Sequence, residues 1–302
     1  SGLRYFYYMN RSKYWILNMK QPLSIPKREE TVLLETWHGT PLKRLAFDLN
    51  DVVGGVSNYK DKFYRQKEAW DYLLSDNPFS TEKFQSCFMY PKEKILEYGY
   101  PANDPMYAPD REERAKKIKE KLGIPADKSC ILMMTGSMGY GRVESMTAKL
   151  VEQTGEDTHL YILGGTNEEL KKTLRDTYAD TERVHVLDFT TEAHLYMAAA
   201  DILFTKPGGL TSTEAVAAKV ALVHTKPIPG CEDRNVAFFT QHGMSVSGDT
   251  EEAVIQNGLK LLRDPEAQAE MRKCQEKYGK PYAADAVCEF ICGQKEAAQE
   301  EA

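Results

Sequence analysis

Residues Asp201 to Asn235 read DILFTKPGGLTSTEAVAAKVALVHTKPIPGCEDRN and combine an apolar strand, a glycine turn and the start of a helix. Residues 201–205 have the length of a buried strand, and Lys206-Pro207-Gly208-Gly209 ends it in a sharp turn. Residues 211–213 are Thr-Ser-Thr, which cap helices well. The pattern therefore predicts a helix whose first amides and dipole favour an anion such as the diphosphate of a nucleotide.

Four further features accompany this motif. Glu214, expected in the first turn of the helix, either accepts hydrogen bonds from ribose hydroxyls or is an ordinary dipole-favoured residue. Phe189, just past an expected strand, either stacks on a nucleobase or packs. Glu232 and Asn235 lie in a proline-glycine loop where sugar hydroxyls can bind. A second glycine-rich loop, TGSMGYG at residues 135–141, includes Gly136 and Ser137 and follows another buried strand, so its amides can also approach a phosphate.

Composition places the chain among ordinary globular proteins. It has 302 residues, 42% of them hydrophobic, which is enough for two domains of usual size. No apolar run is long enough to span a membrane and the first residues lack a signal-peptide pattern, so we expect a cytoplasmic location. The six cysteines form no CxxC pair, which favours reduced thiols over disulfides or zinc. The histidines His185, His194, His224 and His242 show no metal-ligand spacing, so no metal site is predicted.

The net charge of −6 is unevenly distributed. Residues 1–100 contain fifteen Lys or Arg against twelve Asp or Glu, so this part is basic and the remainder strongly acidic. Within residues 58–70, basic side chains alternate with aromatic ones. This segment is either a plain solvated helix or a surface that lies on anionic lipid. We expect no nucleic-acid partner.

Strand and helix patterns alternate along the chain. Short strands are predicted at residues 14–19, 31–37, 71–75 and 95–98, and further apolar strands at 130–134, 160–163, 184–187, 202–205 and 221–224. Regular alternation of this kind favours parallel, doubly wound sheets. We therefore predict an α/β protein with two Rossmann-like domains, at residues 1–107 and 108–302.

Four segments in the second half carry a family resemblance: TGSMGYG, ILGGTNEEL, AAADILFTKPGGLTSTEA and KPIPGCEDRN. They resemble the nucleotide-binding domain of processive diacylglycerol glucosyltransferases and monogalactosyldiacylglycerol synthases over about residues 110–293. The resemblance implies a GT-B fold, an inverting reaction and a UDP-sugar donor used without a bound metal. It also implies roles for individual residues, with the diphosphate on Gly208, Gly209, Thr211 and Ser212, the ribose on Glu214, the uracil near Phe189 and the sugar on Glu232 and Asn235.

The first half resembles a different family. WILN at residues 15–18, TWHGTPLK at 36–43, YLLS at 72–75 and GYPAND at 99–104 are similar to CDP-glycerol glycerophosphotransferases of teichoic acid assembly. That resemblance again implies a GT-B fold, here with an abbreviated first domain, and it makes His38 the candidate catalytic base. The chain thus reads as a hybrid, natural or engineered, whose two domains are expected to face a cleft.

The predicted activity is inverting transfer of a sugar from a UDP-sugar to a lipid or polyol acceptor, with His38 removing the acceptor proton. Transfer of glycerophosphate from CDP-glycerol is the alternative enzyme reading, and a sugar-nucleotide epimerase is a third. A hybrid that binds nucleotide without turnover is the non-enzymatic alternative. We expect no cofactor beyond the donor, a possible peripheral location on the inner face of the membrane and, because of an exposed sheet edge, a possible homodimer.

Overall fold

The structure is a computed structural model that describes residues 2–19, 21, 25–42, 44–49, 58–107, 110–134, 143–227 and 232–300, with side chains as far as residue 293. The chain divides into two compact units. Unit 1 comprises Ser1–Asp104 together with Gly279–Ala302, and unit 2 comprises Pro105–Tyr278. The sequence had assigned residues 279–302 to the second domain, whereas the structure groups them with the first.

Unit 1 is built on a four-stranded parallel sheet in the order β1-β2-β3-β4. Its strands and helices in chain order are α1 (Gly2–Arg11), β1 (Tyr14–Leu17), β2 (Val32–Glu35), α2 (Tyr59–Lys67), β3 (Tyr72–Leu74), α3 (Pro78–Cys87), β4 (Ile95–Leu96) and, at the chain's end, α12 (Ala283–Glu300). The four strands lie where the sequence predicts them, although each is shorter. Because β1 is an edge strand, one side of it forms no strand pair among the described residues.

The core of unit 1 is rich in aromatic side chains. Trp15, Phe63, Trp70, Phe84 and Phe88 are all buried on one side of the sheet. Burying such rings contributes a large share of the stability of a small sheet.

Helix α12 packs on the same unit. Its Val287 is buried with Leu34 of β2 and Leu74 of β3, and Phe290 meets the ring of Tyr72 edge-on at 4.7 Å. Both carboxylate oxygens of Asp104 accept hydrogen bonds from the first amides of this helix. These contacts explain why the last residues belong to unit 1. The sequence could not reveal this, because these residues are far along the chain from the rest of the unit.

Unit 2 contains a five-stranded parallel sheet in the order β7-β6-β5-β8-β9. Its elements are α4 (Arg111–Leu122), β5 (Ser129–Met134), α5 (Val143–Gln153), β6 (Thr158–Leu163), α6 (Glu168–Thr177), β7 (Val184–Leu187), α7 (Ala193–Ala199), β8 (Ile202–Thr205), α8 (Gly209–Ala218), β9 (Ala221–His224), α9 (Asp233–Gln241), α10 (Glu251–Leu262) and α11 (Pro265–Glu276). The predicted alternation of strands and helices is confirmed. Strands β8 and β9 are buried along their whole length, as an apolar parallel strand must be.

Candidate functional site

The strand order of unit 2 creates a crevice at the carboxyl ends of β5 and β8. These strands are neighbours, with Met134 paired to Thr205, and the chain winds away from them in opposite directions toward β7 and β9. Ligands of open parallel sheets bind outside such a switch point. The loop after β8, Lys206-Pro207-Gly208, leaves the sheet there. Gly136 and Ser137, which follow β5 in sequence, lie outside the described residues.

Helix α8 starts at this switch point without a side-chain cap. Gly208 is the N-cap residue, and no side chain accepts a hydrogen bond from the first turn. The prediction that residues 211–213 cap the helix is therefore wrong, because the helix begins at Gly209 and includes them. Among the described residues, no side-chain oxygen caps the amides of Gly209, Leu210 and Thr211. A helix start without a side-chain cap is a suitable anion site when a glycine precedes it, because the ligand can then come close to the backbone.

Ser212 forms a hydrogen bond to a neighbouring strand. Its side chain is fully buried, and its hydroxyl lies 2.9 Å from Nε2 of His224, the last residue of β9. The other ring nitrogen of His224 lies 3.0 Å from the hydroxyl of Ser245. The hydroxyl of Ser212 thus links α8 to β9, and the diphosphate contact that the family resemblance implies for this residue stays a prediction. Burial lowers the pKa of His224 to about 3, so this imidazole is neutral.

Glu214 lies in the second turn of α8, one turn later than predicted. Its side chain is half-buried, and burial raises the pKa of its carboxyl group, an effect that the nearby His194 partly offsets. Within the described residues the carboxylate accepts no hydrogen bond. A partly desolvated carboxylate without a partner gains free energy from any hydroxyl donor that a ligand brings.

Asn235 and Glu232 are both buried beside the loop after β8. The side-chain amide of Asn235, in α9, donates a 2.6 Å hydrogen bond to the carbonyl of Pro207, while its Oδ1 has no partner among the described atoms. Glu232 is the N-cap residue of α9, and its carbonyl accepts from the amide of Asn235. The amide nitrogen of Asn235 therefore holds the Pro207 loop in place, and the sugar contact expected of this residue stays a prediction. Residues 228–231, which come after β9 in sequence, lie outside the described residues.

Phe189 lies two residues beyond the end of β7, and its ring is 69% exposed. It makes no ring contact within the described residues, so the packing alternative is excluded there and the ring is available for stacking. The preceding residue, Asp188, pairs with Arg175 at 2.9 Å and Lys171 at 3.5 Å, both from α6. These ion pairs hold the turn that presents the ring.

In unit 1 the candidate base lies in a strained turn after β2. Trp37 has a φ of 54° and Gly39 a φ of 146°, so both neighbours of His38 adopt backbone conformations that L residues avoid. Only glycine adopts the second of these readily. Such strain persists only where surrounding contacts enforce it, and it is concentrated at functional sites.

The His38 side chain is exposed and oriented by the backbone. Its Nδ1 lies 3.2 Å from the carbonyl oxygen of Asn18, and its ring stacks on Trp37 at 4.5 Å. A carbonyl oxygen can only accept, so Nδ1 carries the proton in this contact. The lone pair of a neutral imidazole is then on Nε2, which contacts no polar group of the described chain. This is the arrangement that a general base requires.

Two other histidines, His159 and His185, contact each other across neighbouring strands. Nδ1 of His159 lies 3.0 Å from Nε2 of His185, and burial together with this neighbour lowers the pKa of His185. The sequence reading did not single out His159, because the pair forms across two strands. Among the described residues no group of three or more His, Cys, Asp or Glu side chains could hold a metal ion.

The basic helix predicted at residues 58–70 is α2, but two of its four basic side chains are buried or bonded to the backbone. Lys67 is buried beside Phe63, and Nζ of Lys60 donates to the carbonyl of Leu49. Lys62 and Arg65 remain exposed, so only these two could meet an anionic surface. None of the helices in the described part of the chain has the length and apolar character needed to cross a membrane.

Comparison with known proteins places the chain among transferases. The family described as CDP-glycerol:poly(glycerophosphate) glycerophosphotransferase matches residues 1–205. The chain belongs to this family. The C-terminal domain of glycosyltransferase family 28 matches residues 130–287, so the chain belongs to that family as well. The predicted double resemblance is confirmed, but the glycerophosphotransferase match does not end at the predicted boundary, because it continues into unit 2 and overlaps the second match.

Two curated relatives represent these families. The chain is 46% identical over 134 residues to teichoic acid poly(glycerol phosphate) polymerase of Bacillus spizizenii, which covers 43% of this chain and 34% of that protein. It is 26% identical over 286 residues to processive diacylglycerol β-glucosyltransferase of Staphylococcus saprophyticus, covering 92% and 71%. The chain thus spans about a third of the length of the teichoic acid relative.

A solved structure confirms the fold. The wall teichoic acid polymerase TagF superposes with a TM-score of 0.71 at 21% identity, over 95% of this chain and 74% of that one. The α/β, GT-B-like fold with parallel sheets is therefore shown.

Proposed function

We propose that the chain transfers a sugar from a UDP-sugar to a hydroxyl group of a lipid or polyol acceptor, with inversion at the anomeric carbon. The observation that carries this proposal is the start of α8. There, amides without a side-chain cap lie at a sheet switch point, on the same helix as the carboxylate of Glu214, which accepts no hydrogen bond from the described residues. The match of the family 28 glycosyltransferase domain to residues 130–287 supports a nucleotide-sugar donor.

Unit 2 has the groups that such a donor needs. The amides of Gly209, Leu210 and Thr211 and the dipole of α8 bind the diphosphate and stabilise its charge as it departs. Glu214 accepts hydrogen bonds from the ribose hydroxyls, which replace the water that burial has removed from its carboxylate. Phe189 provides an exposed ring on which uracil can stack. No metal or further cofactor is required by this scheme.

Unit 1 supplies the base. Nε2 of His38 takes the proton of the acceptor hydroxyl as its oxygen forms a bond to the anomeric carbon. The bond between that carbon and the β-phosphate oxygen breaks, and UDP leaves with the electron pair. Imidazole suits this step because its ordinary pKa is near neutrality.

Calorimetric titration with UDP and CDP in the absence of metal tests the donor assignment. We expect UDP to bind more tightly than CDP. Glu214→Gln should weaken UDP binding about tenfold, because a hydrogen bond to a charged group contributes about 1.5 kcal/mol or more. The same substitution should leave 2′,3′-dideoxy-UDP unaffected, since that ligand lacks the hydroxyls.

Glu182→Gln is the matched control, because Glu182 is an exposed glutamate that precedes β7 at the opposite edge of the sheet. Glu182→Gln should change neither the affinity for UDP nor the affinity for dideoxy-UDP. Equal loss of UDP and dideoxy-UDP binding in Glu214→Gln would contradict the ribose role and would indicate a general effect on the helix.

A second candidate is transfer of glycerophosphate from CDP-glycerol. The glycerophosphotransferase match over residues 1–205 and the teichoic acid relative favour it. In that reaction the acceptor oxygen deprotonated by His38 attacks the phosphorus that bears glycerol, and CMP leaves. Tighter binding of CDP than UDP, together with CMP release from CDP-glycerol, would replace the first proposal with this one. Binding of either nucleotide with no transfer to any acceptor would indicate a non-catalytic binder.

A further inference from the structure

A buried polar cluster lies directly behind the His38 turn. Asp76 follows β3 by two residues and is 4% exposed. Its Oδ2 accepts a 2.6 Å hydrogen bond from the hydroxyl of Thr40, and its Oδ1 accepts one from the hydroxyl of Ser80. Thr40 is the second residue after His38. A carboxylate at the end of one strand is thus bonded to the turn that follows its neighbour.

Tyr100 reinforces the same turn. Its buried hydroxyl donates to the carbonyl of Gly39 at 3.1 Å. The phenol also lies at the Asp76 carboxylate, and burial together with that charge raises the pKa of Tyr100 well above its ordinary value. Both residues that follow His38 are therefore anchored by one cluster.

The residue before His38 is anchored separately. The amide of Trp37 lies 3.3 Å from Oε1 of Glu35, a fully buried residue at the end of β2. With Trp37 and Gly39 both at positive φ, the turn would relax to ordinary backbone angles without such contacts.

Keeping a carboxylate buried at Asp76 is costly. Burial raises the pKa of Asp76, and the hydrogen bonds from Ser80 and Thr40 offset this only in part. An apolar or amide side chain would be a less costly choice for packing alone. What the carboxylate provides is a strong acceptor for the Thr40 hydroxyl, because hydrogen bonds to a charged acceptor are about twice as strong as neutral ones.

We propose that Asp76 is a positioning residue: through the Thr40 hydroxyl, and with Tyr100, it holds the strained turn so that Nδ1 of His38 stays on the Asn18 carbonyl and Nε2 stays free. This inference rests on the proposed role of His38 as the base. It predicts that the tautomer of His38 depends on a hydroxyl that never touches the imidazole.

The test combines ¹⁵N NMR of the His38 ring with steady-state kinetics on the full chain. The spectra are recorded well above the ordinary histidine pKa of about 6.5, where the neutral tautomers are populated. Thr40→Val removes the hydroxyl and keeps the shape of the side chain. We expect the ring to change from the Nδ1–H tautomer to a mixture, and kcat to fall by about tenfold to a hundredfold while KM changes less than about threefold.

Two further variants control this result. Thr40→Ser keeps the hydroxyl and should restore the wild-type tautomer and kcat. Thr81→Val is the same substitution at another buried hydroxyl of unit 1, one that bonds Ser75 and Glu97 and not the turn, so it should leave both readouts unchanged. If Thr40→Val fails to fold, Tyr100→Phe removes the hydroxyl that donates to Gly39 and lies at the Asp76 carboxylate, and it tests the same cluster.

An unchanged His38 tautomer in a folded Thr40→Val or Tyr100→Phe variant would overturn the positioning role, whatever the kinetics show. Absence of transfer by the wild-type chain would instead remove the proposed function. The NMR result would then still decide whether Asp76 and Thr40 set the tautomer of the His38 ring. Failure of the positioning role and failure of the proposed function are therefore distinguishable.

Discussion

His38 in unit 1 and His224 in unit 2 both lie near the carboxyl end of a parallel strand, yet their surroundings differ in every respect. His224 is fully buried between two serine hydroxyls, and both of its ring nitrogens have partners. His38 is exposed, and its one polar partner among the described residues is a backbone carbonyl. A hydroxyl can donate or accept and so satisfies either nitrogen, whereas a carbonyl can only accept and leaves the other nitrogen basic. The hydrogen-bond partner therefore decides which of the two histidines can act as a base.

The largest expected effect is loss of activity at His38. His38→Gln should lower the transfer rate by about 10²- to 10⁴-fold, because it removes the general base. The free energy of unfolding should change by less than about 0.5 kcal/mol, since the side chain is exposed. Measuring kcat together with urea unfolding checks both values. Activity retained within threefold would show that His38 is not the base, and the comparison with His224 would then lose its meaning.

The second effect is a pH dependence of stability that the buried imidazole of His224 produces. Its pKa is about 3 in the folded chain and about 6.5 when unfolded, so between these values the unfolded chain binds one more proton. Stability is fully present above about pH 6.5 and is lost as the pH falls toward 3. We expect the difference in unfolding free energy between wild type and His224→Leu to shrink by about 3 kcal/mol from pH 7 to about pH 4.5. If the difference in unfolding free energy stays constant between these pH values, the imidazole of His224 is accessible to water.

At neutral pH the loss of unfolding free energy on removing His224 should be of similar size. His224→Leu leaves the buried hydroxyls of Ser212 and Ser245 unpaired, which costs about 2–4 kcal/mol in urea unfolding. Adding Ser212→Ala and Ser245→Ala should recover much of that loss, because no unpaired hydroxyl remains. A triple variant no more stable than His224→Leu would show that shape, rather than hydrogen bonding, explains the effect.

The smallest expected effect sharpens the description of the donor site. Asn235→Ala removes the hydrogen bond to the Pro207 carbonyl, so nucleotide affinity should fall by about threefold to tenfold through displacement of the loop before α8. Asn257→Ala is the matched control, because its amide also donates to a carbonyl, that of Ser247. Calorimetry with UDP compares the two. Equal affinities in both variants would indicate that the loop is held by other contacts.

The sequence predicted the elements of the site better than its side-chain contacts. Strand β8, the glycine turn and helix α8 follow directly from apolar length and turn chemistry, and the structure has all three. The start of α8 at Gly209 could not be read from the Thr-Ser-Thr run, because a helix can begin earlier when glycine permits the turn. For the same reason Glu214 was placed one turn too early.

Ser212 and Asn235 illustrate side-chain contacts that the sequence could not indicate. Both are polar residues in a motif that resembles a binding site, and such residues are usually read as ligand contacts. The structure shows that each one bonds to a neighbouring element, Ser212 to His224 and Asn235 to Pro207. Their partners are 12 and 28 residues away in sequence, and no local pattern reports such distances.

The sequence by itself determined the α/β alternation, the parallel sheets, the two family resemblances and the candidacy of His38, because these depend on local periodicity and on short motifs. Only the tertiary structure decided that Gly279–Ala302 joins unit 1, that His224 is sealed by two serines, and that Asp76 and Tyr100 support the His38 turn. Each of these results depends on contacts between elements that are distant along the chain. Burial and hydrogen-bond partners are set by that packing, and they decide which polar groups remain free to act.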